Sequence, residues 1–199
     1  AALYSLFAHL KYISFKELMT YCKNNSRLGS HPSHLVPGVE IETGSLGHGL
    51  PIACGIAYAA LKDKKKINVF VLISDGELFE GSVWESFIFA SHQNLSNLII
   101  IIDNNNQIVM DYSKDTGDLN NLKKRFSTFN FVVEEVNGHD HIKLEKVLRK
   151  SKKNKKPTII LANTIKGKGV SFMEKNKKWH HSIPSNEEYM MAKREIQES

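Results

Sequence analysis

Four short apolar runs fix what this 199-residue chain can become: Val69–Ile73, Leu98–Ile102, Phe131–Val136 and Thr158–Ala162. They are rich in Val, Ile and Phe, and apolar nearly throughout rather than alternating. A strand reads this way when both of its faces are covered, as in a parallel sheet. Helical patterns lie between them. Gly81–Asn94 carries Val83, Trp84, Phe87, Ile88, Ala90 and Ser91 along one stripe. Leu119–Ser127 and His141–Lys150 are shorter, and the second sets Ile142, Leu144, Val147 and Leu148 on one face. Strand and helix therefore alternate, which predicts an α/β fold: a mostly parallel sheet with helices on both faces and right-handed crossovers. Upstream, Leu3–Leu10 and Phe15–Lys23 read as short helices, residues 24–45 as a loop, and Leu46–Leu61 as a helix dense in Gly and Ala. Downstream, Thr164–Ser185 is a Lys/Gly/His-rich loop before a polar helix over Asn186–Gln197. No composition shift marks a boundary, so one domain over residues 1–199 is expected.

Composition removes several classes. Apolar residues make up 41% of the chain, enough for a sizeable core. No apolar run approaches the ~20 residues of a membrane-spanning helix, so no membrane partner is expected. The opening shows no basic-then-apolar leader and starts Ala-Ala. Cys22 and Cys54 lack CxxC spacing, which argues against a disulfide scaffold or a zinc site and fits a reducing, cytoplasmic setting, or an organelle after removal of a transit segment. The net charge of +6 is local: Lys150, Lys152, Lys153, Lys155 and Lys156 crowd one stretch. A solvated loop is the first reading of that stretch, and attraction to phosphorylated small molecules the second. Nucleic acid is not expected as a partner, because no aromatic residue interleaves with these lysines.

The chemistry belongs at the carboxyl ends of the strands, where open α/β sheets bind ligands. Ser74-Asp75-Gly76-Glu77 follows the first run and Asp103-Asn104-Asn105-Asn106-Gln107 follows the second. One helix and one strand separate Asp75 from Asn105, the length of a βαβ half-unit, so both should emerge at the same sheet edge. A carboxylate and an amide oxygen are hard ligands, suited to Mg²⁺ completed by water and phosphate oxygens. Gly44-Ser45-Leu46-Gly47-His48-Gly49 precedes a helical stretch, where glycine lets backbone approach a ligand and a helix N-terminus favours anions.

These segments carry a resemblance that runs the length of the chain. Ser74-Asp75-Gly76-Glu77-Leu78-Phe79-Glu80-Gly81-Ser82-Val83-Trp84-Glu85 followed by Asp103-Asn104-Asn105 resembles the thiamine-diphosphate motif of transketolases. Gly38-Val39-Glu40 and Gly44–Gly49 resemble the GVE…TGxLGxG segment of the same family. Lys166–Glu174 and Trp179-His180-His181 resemble the end of that domain. The likeness is greatest to the N-terminal subunit of split transketolases. Ser74 stands where most relatives have Gly, the loop from His31 to Gly38 is shorter by one residue, and the family's earlier histidines have no counterpart. The expectation is therefore a diphosphate-binding domain without its extreme N-terminus.

The resemblance implies thiamine diphosphate and a divalent metal, Mg²⁺ or alternatively Ca²⁺ or Mn²⁺, as cofactors. Asp75 and Asn105 would hold the metal by side chains and Gln107 by its backbone carbonyl. Gly76 would meet the diphosphate, and Gly44 and Leu46 the cofactor's central region. His31 would hydrogen-bond the donor sugar, His181 would lie near the diphosphate, and Glu80 and Glu85 would link cofactor sites across a dimer. The implied activity moves a two-carbon ketol unit from a ketose phosphate to an aldose phosphate. A pyrimidine-binding domain does not fit in this chain, so a partner subunit or a missing C-terminal half is implied, in a homodimer or heterotetramer, and the chain alone should turn over nothing. The alternatives are a deoxyxylulose-phosphate-synthase-like enzyme and a non-catalytic transketolase-like paralogue. The first shares Asp-Gly…Asn but not the Glu80–Glu85 and Lys166–Glu174 segments.

Overall fold

All four apolar runs form strands, and each strand ends on a polar residue. In the computed structural model, which describes residues 1–107 and 121–198, these are β1 (Val69–Ser74), β2 (Leu98–Asn104), β3 (Val132–Asn137) and β4 (Thr158–Asn163). They make one parallel sheet in the order β1-β2-β4-β3. The helices among the described residues are α1 (Ala2–His9), α2 (Phe15–Leu18), α3 (Gly49–Lys62), α4 (Gly81–His92), α5 (Leu122–Ser127), α6 (His141–Ser151) and α7 (Asn186–Glu198). Residues 119 and 120 of the helix expected before Ser127 lie outside the described residues.

The chain divides into two compact units, Ala1–His48 and Gly49–Ser199, each with its own core. The first unit packs Tyr4, Ala8, Ile13, Leu28 and Val36 together. In the second, alternate residues of β2 serve opposite faces. Ile100 and Ile102 join α3, α4 and α5 through Ala57, Phe87 and Phe126. Ile99 and Ile101 join α6 through Leu144, Val147 and Leu148. Helices thus cover both faces of the sheet, and the central strands are buried for that reason.

Three expectations change. β1 is an edge strand whose burial alternates: Ile73 is buried, while Phe70 and Leu72 are 43% and 69% exposed. The helix expected over Phe15–Lys23 stops at Leu18, because the backbone turns back at Cys22, whose φ is +53° and whose N–H donates to the Leu28 carbonyl. The helix expected from Leu46 starts at Gly49, because Gly44 and Gly47 hold φ of +128° and +80°, outside the helical region. Among the described residues no helix is long and apolar enough to cross a membrane.

Phe87 is fully buried, with its ring 4.9 Å from Phe126 and 5.8 Å from both Trp84 and Phe131. Phe87→Ala should cost about 3–5 kcal/mol. Urea denaturation checks this; a loss below about 1 kcal/mol would mean that the aromatic cluster is not the anchor of this core.

Candidate functional site

The site starts from strand register. Ser74 on β1 pairs with Asp103 on β2, and the next N–H, that of Asp75, donates to the Asp103 carbonyl at 3.2 Å. Asn104 pairs with Asn163 on β4, which pairs with Asn137 on β3. The polar ends of all four strands therefore share one rim. Side chains reinforce it. Asn104 Nδ2 donates to Asn163 Oδ1 at 2.7 Å, and Asn163 Nδ2 donates to Glu135 Oε1 at 2.9 Å.

Asp75 directly follows the edge strand β1, at one end of this rim, and is only 1% exposed. Its turn is closed by reciprocal bonds. Ser74 N–H donates to Glu77 Oε2 at 3.0 Å, and Glu77 N–H donates to Ser74 Oγ at 3.2 Å. This is a capping box around the short 3₁₀ helix Gly76–Phe79. It gives Ser74 a use where the resembled family has Gly, since the hydroxyl holds the turn that presents Asp75 and Gly76. Trp84 Nε1 donates to the Leu78 carbonyl at 2.7 Å and ties the same turn to α4.

Asn105 is fixed from two sides. Its Oδ1 accepts from Gln107 N–H at 2.9 Å, and its Nδ2 donates to Asp103 Oδ2 at 3.3 Å. Asp103 Oδ1 accepts a short hydrogen bond from Thr164 Oγ1, just beyond β4. Gln107 is buried, and its side-chain Oε1 accepts no hydrogen bond among the described residues.

Lys166 and His180 bring positive and neutral donors to the same rim. Lys166 Nζ lies 2.5 Å from His180 Nδ1. An ammonium can only donate, so Nδ1 carries the lone pair and Nε2 the proton, leaving an N–H available beyond the pair. Burial pushes the Lys166 ammonium down, while the negative charges of Asp103 and Asp75 pull it back up. Burial lowers His180 too, helped by the charges of Lys166 and of its neighbour His181. His139 Nε2 accepts from Ile165 N–H at 2.7 Å and holds the backbone between Thr164 and Lys166.

The other expected residues are placed as follows. His181 is exposed, with its ring centroid 4.6 Å from that of His180. Glu80 is half-buried, just ahead of α4, and Glu85 is exposed on that helix. In the first unit, His31 and Gly44 meet. A Cβ on Gly44 would fall 2.8 Å from His31 Cγ, so only glycine lets this ring lie against the turn. Tyr4 Oη donates to the His31 carbonyl at 3.2 Å. Leu46 is exposed in the turn before α3.

The donor set fits a hard divalent cation. Among the described residues no three His, Cys, Asp or Glu side chains converge as a metal cluster. The rim instead offers one buried carboxylate with amide and carbonyl oxygens. Such a set suits Mg²⁺, which keeps several positions for water and phosphate oxygens. Among the described residues the Gln107 side-chain oxygen at the end of the same loop lacks a hydrogen-bond partner, as a site that gains its partners on binding would show.

Lys166, His180, Thr164 and Asp103 were not among the expected site residues. A signal existed: the strand-end rule that points to Asp75 and Asn105 applies equally to β4, which ends on Asn163 and is followed by Thr164 and Lys166.

The family described as transketolase, thiamine diphosphate binding domain, matches residues 1–197. The chain is 41% identical over 196 residues to one of the subunits of apulose-4-phosphate transketolase from Actinobacillus succinogenes, covering 98% of this chain and 71% of that protein. It is 37% identical over 198 residues to human transketolase, covering 98% of this chain but 31% of the human protein. Among solved structures, the transketolase of Campylobacter jejuni superposes with a TM-score of 0.86 at 32% identity, over 92% of this chain and 30% of that one. The chain thus spans less than a third of the single-chain transketolases it matches.

The depressed His180 predicts a sign. The unfolded chain takes up a proton near pH ~6.5, before folded His180 does, so stability should fall on acidification from there down through the folded value. NMR titration should place His180 below ~6.5, and Lys166→Met should raise it. A midpoint at or above that value with Lys166 present would rule out the pair.

Proposed function

The chain belongs to the transketolase family, as its thiamine-diphosphate-binding domain, and from this premise we propose that it is the metal- and diphosphate-holding part of a two-carbon ketol transferase. The observation that supports this most is the rim itself: a buried Asp75 and an Asn105 on the neighbouring loops after β1 and β2, with the Lys166 ammonium in electrostatic reach. When bound, thiamine diphosphate supplies the electron sink that breaking a ketose C2–C3 bond requires. The rest falls to the protein's own groups.

In this reading the Asp75 carboxylate, Asn105 Oδ1 and the Gln107 backbone carbonyl hold Mg²⁺, or Mn²⁺ or Ca²⁺ in its place. The Gly76 backbone lies against the diphosphate. Lys166 offsets diphosphate charge, and the proton on His180 Nε2 is donated to a phosphate oxygen. The resemblance pointed to His181 for that last role. His180 takes it here because its ring is fixed by Lys166 and half-buried, whereas His181 is exposed. Gly44 and Leu46 would meet the cofactor's central region, and His31 would orient the donor sugar phosphate by a hydrogen bond to an oxygen at the reacting carbonyl.

The apulose-4-phosphate transketolase relatives are named as subunits, so they belong to enzymes built from more than one chain. By the same division of labour, this chain acts with a separate pyrimidine-binding chain, the two together forming a dimer of such units linked through Glu80 and Glu85. Its substrates are a ketose phosphate donor and an aldose phosphate acceptor, within pentose phosphate metabolism.

Two measurements test this on the chain assembled with its pyrimidine-binding partner. Calorimetric titration of thiamine diphosphate with Mg²⁺ should give tight binding, and Asp75→Ala should weaken it by more than the ~10–100-fold that loss of a supporting group costs. No heat, and no change on Asp75→Ala, would mark a non-catalytic relative kept for its interactions. In the same titration His180→Ala should cost more affinity than His181→Ala; the reverse order would return the role to His181.

A further inference from the structure

One hydrogen-bonded path at the rim crosses three strands and ends on a proposed metal ligand. It starts at Gly138, just after β3, whose N–H donates to the Asn163 carbonyl at 2.8 Å. A Cβ at Gly138 would fall 2.4 Å from Thr164 Cγ2, so only glycine leaves room for the Thr164 methyl. Thr164 is then tied twice to β2. Its N–H donates to the Asn104 carbonyl at 3.2 Å, and its hydroxyl donates to Asp103 Oδ1. The other oxygen of Asp103 accepts from Asn105 Nδ2 at 3.3 Å.

The consequence for Asn105 is directional. Its amide has two distinguishable ends. With Nδ2 held by Asp103 and Oδ1 accepting from Gln107 N–H, one lone pair of Oδ1 remains for a cation. If Asp103 were free to rotate, the NH₂ end would lose its anchor and the amide could swing or flip, turning a donor toward the metal.

We propose that Thr164 and Asp103, seated by Gly138, are positioning residues that fix the Asn105 amide with its oxygen toward the divalent cation. This rests on the metal-site reading above. None of the three residues touches the cation in this scheme; they act through Asn105, as supporting groups do in metal sites generally. Thr164 lies some sixty residues beyond the Asp75–Asn105 motif and is brought to it by the pairing of β2 with β4.

The test uses Mn²⁺ as the probe, followed by EPR in the presence of thiamine diphosphate, on the chain assembled with its pyrimidine-binding partner. Thr164→Val keeps the shape and removes the hydroxyl; it should weaken Mn²⁺ binding about 10–100-fold with little change in metal-free melting temperature. Thr164→Ser keeps the hydroxyl and should bind nearly as the wild type does. Gly138→Ala should bind weakly, and the double variant Gly138→Ala/Thr164→Ser, which lacks the clashing methyl, should recover much of the loss. Asp103→Asn, which puts a second NH₂ into the relay, should reproduce the Thr164→Val loss and serves if that variant fails to fold. The proposal is overturned if Thr164→Val or Asp103→Asn binds Mn²⁺ normally, or if Thr164→Ser loses as much as Thr164→Val. Asp75→Ala in parallel separates the two levels. If it too binds normally, the metal-site reading falls; if it alone loses binding, only the relay falls.

Discussion

The pairing of Ser74 with Asp103 is the constraint on which the rest depends. Adjacent strands lie about 4.8 Å apart, so two loops leaving a parallel pair at the same rank are neighbours without any further device. A slip of one residue in β1 would reverse its faces, sending Ile73 out of the core and carrying Asp75 away from the rank it shares with β2. The apolar pattern that buries Ile73 therefore also sets the position of the carboxylate two residues on. Stability and site geometry are specified by the same register.

That carboxylate sits where a charge is expensive. Removing a carboxylate from water costs several kcal/mol unless opposite charge and hydrogen bonds compensate. Lys166 answers part of this from the loop after β4, and its own ammonium is disfavoured by burial. Each charge is tolerated because the other is near. In the function proposed above, a divalent cation and a diphosphate would extend the same balance, the cation meeting Asp75 and the diphosphate meeting Lys166. In this reading the rim is prepared for a pair of opposite charges to be added together, which is how a metal-diphosphate complex arrives.

Much of this was legible in the sequence because it is local. The four strands read as apolar runs, and Asp75 and Asn105 stand directly after two of them. Their emergence at one sheet edge follows from the rule that successive crossovers return to the same edge. What could not be read depends on contacts across long separations. Nothing near Lys166 in the sequence says that His180 rather than His181 faces it. That choice is made by the 3₁₀ turn Lys177–His180, which ends on the inward ring. The use of Ser74 was hidden for the opposite reason. Its partner Glu77 is three residues away, in ordinary capping-box spacing, but the segment reads first as a ligand loop. Helix starts were misplaced where glycines with positive φ override an Ala-rich pattern, as before α3.

The distribution of lysines shows why net charge alone is a poor guide to where anions bind. The basic run from Lys150 to Lys156 straddles the end of α6 and precedes β4, so in a parallel sheet it occupies the rim opposite Asp75. Its members have local work there. Lys150 Nζ donates to Glu134 Oε1 and Lys156 Nζ donates to Asn130 Oδ1, each at 2.6 Å, while the Lys152 ammonium lies 5.6 Å from the centre of the exposed Phe70 ring. Cations after a helix C-terminus also answer the partial negative charge of its last carbonyls. They account for much of the basic excess and lie away from the rim that carries Asp75. Among the described residues the rim holds instead Lys166, a half-buried ammonium held by a histidine and steadied by two carboxylates. A charge in partial exclusion from water acts on a phosphate more strongly than several solvated ones, and its position is fixed by β4. In the proposed function, one placed lysine would therefore do for a diphosphate what the crowded run on the far side cannot.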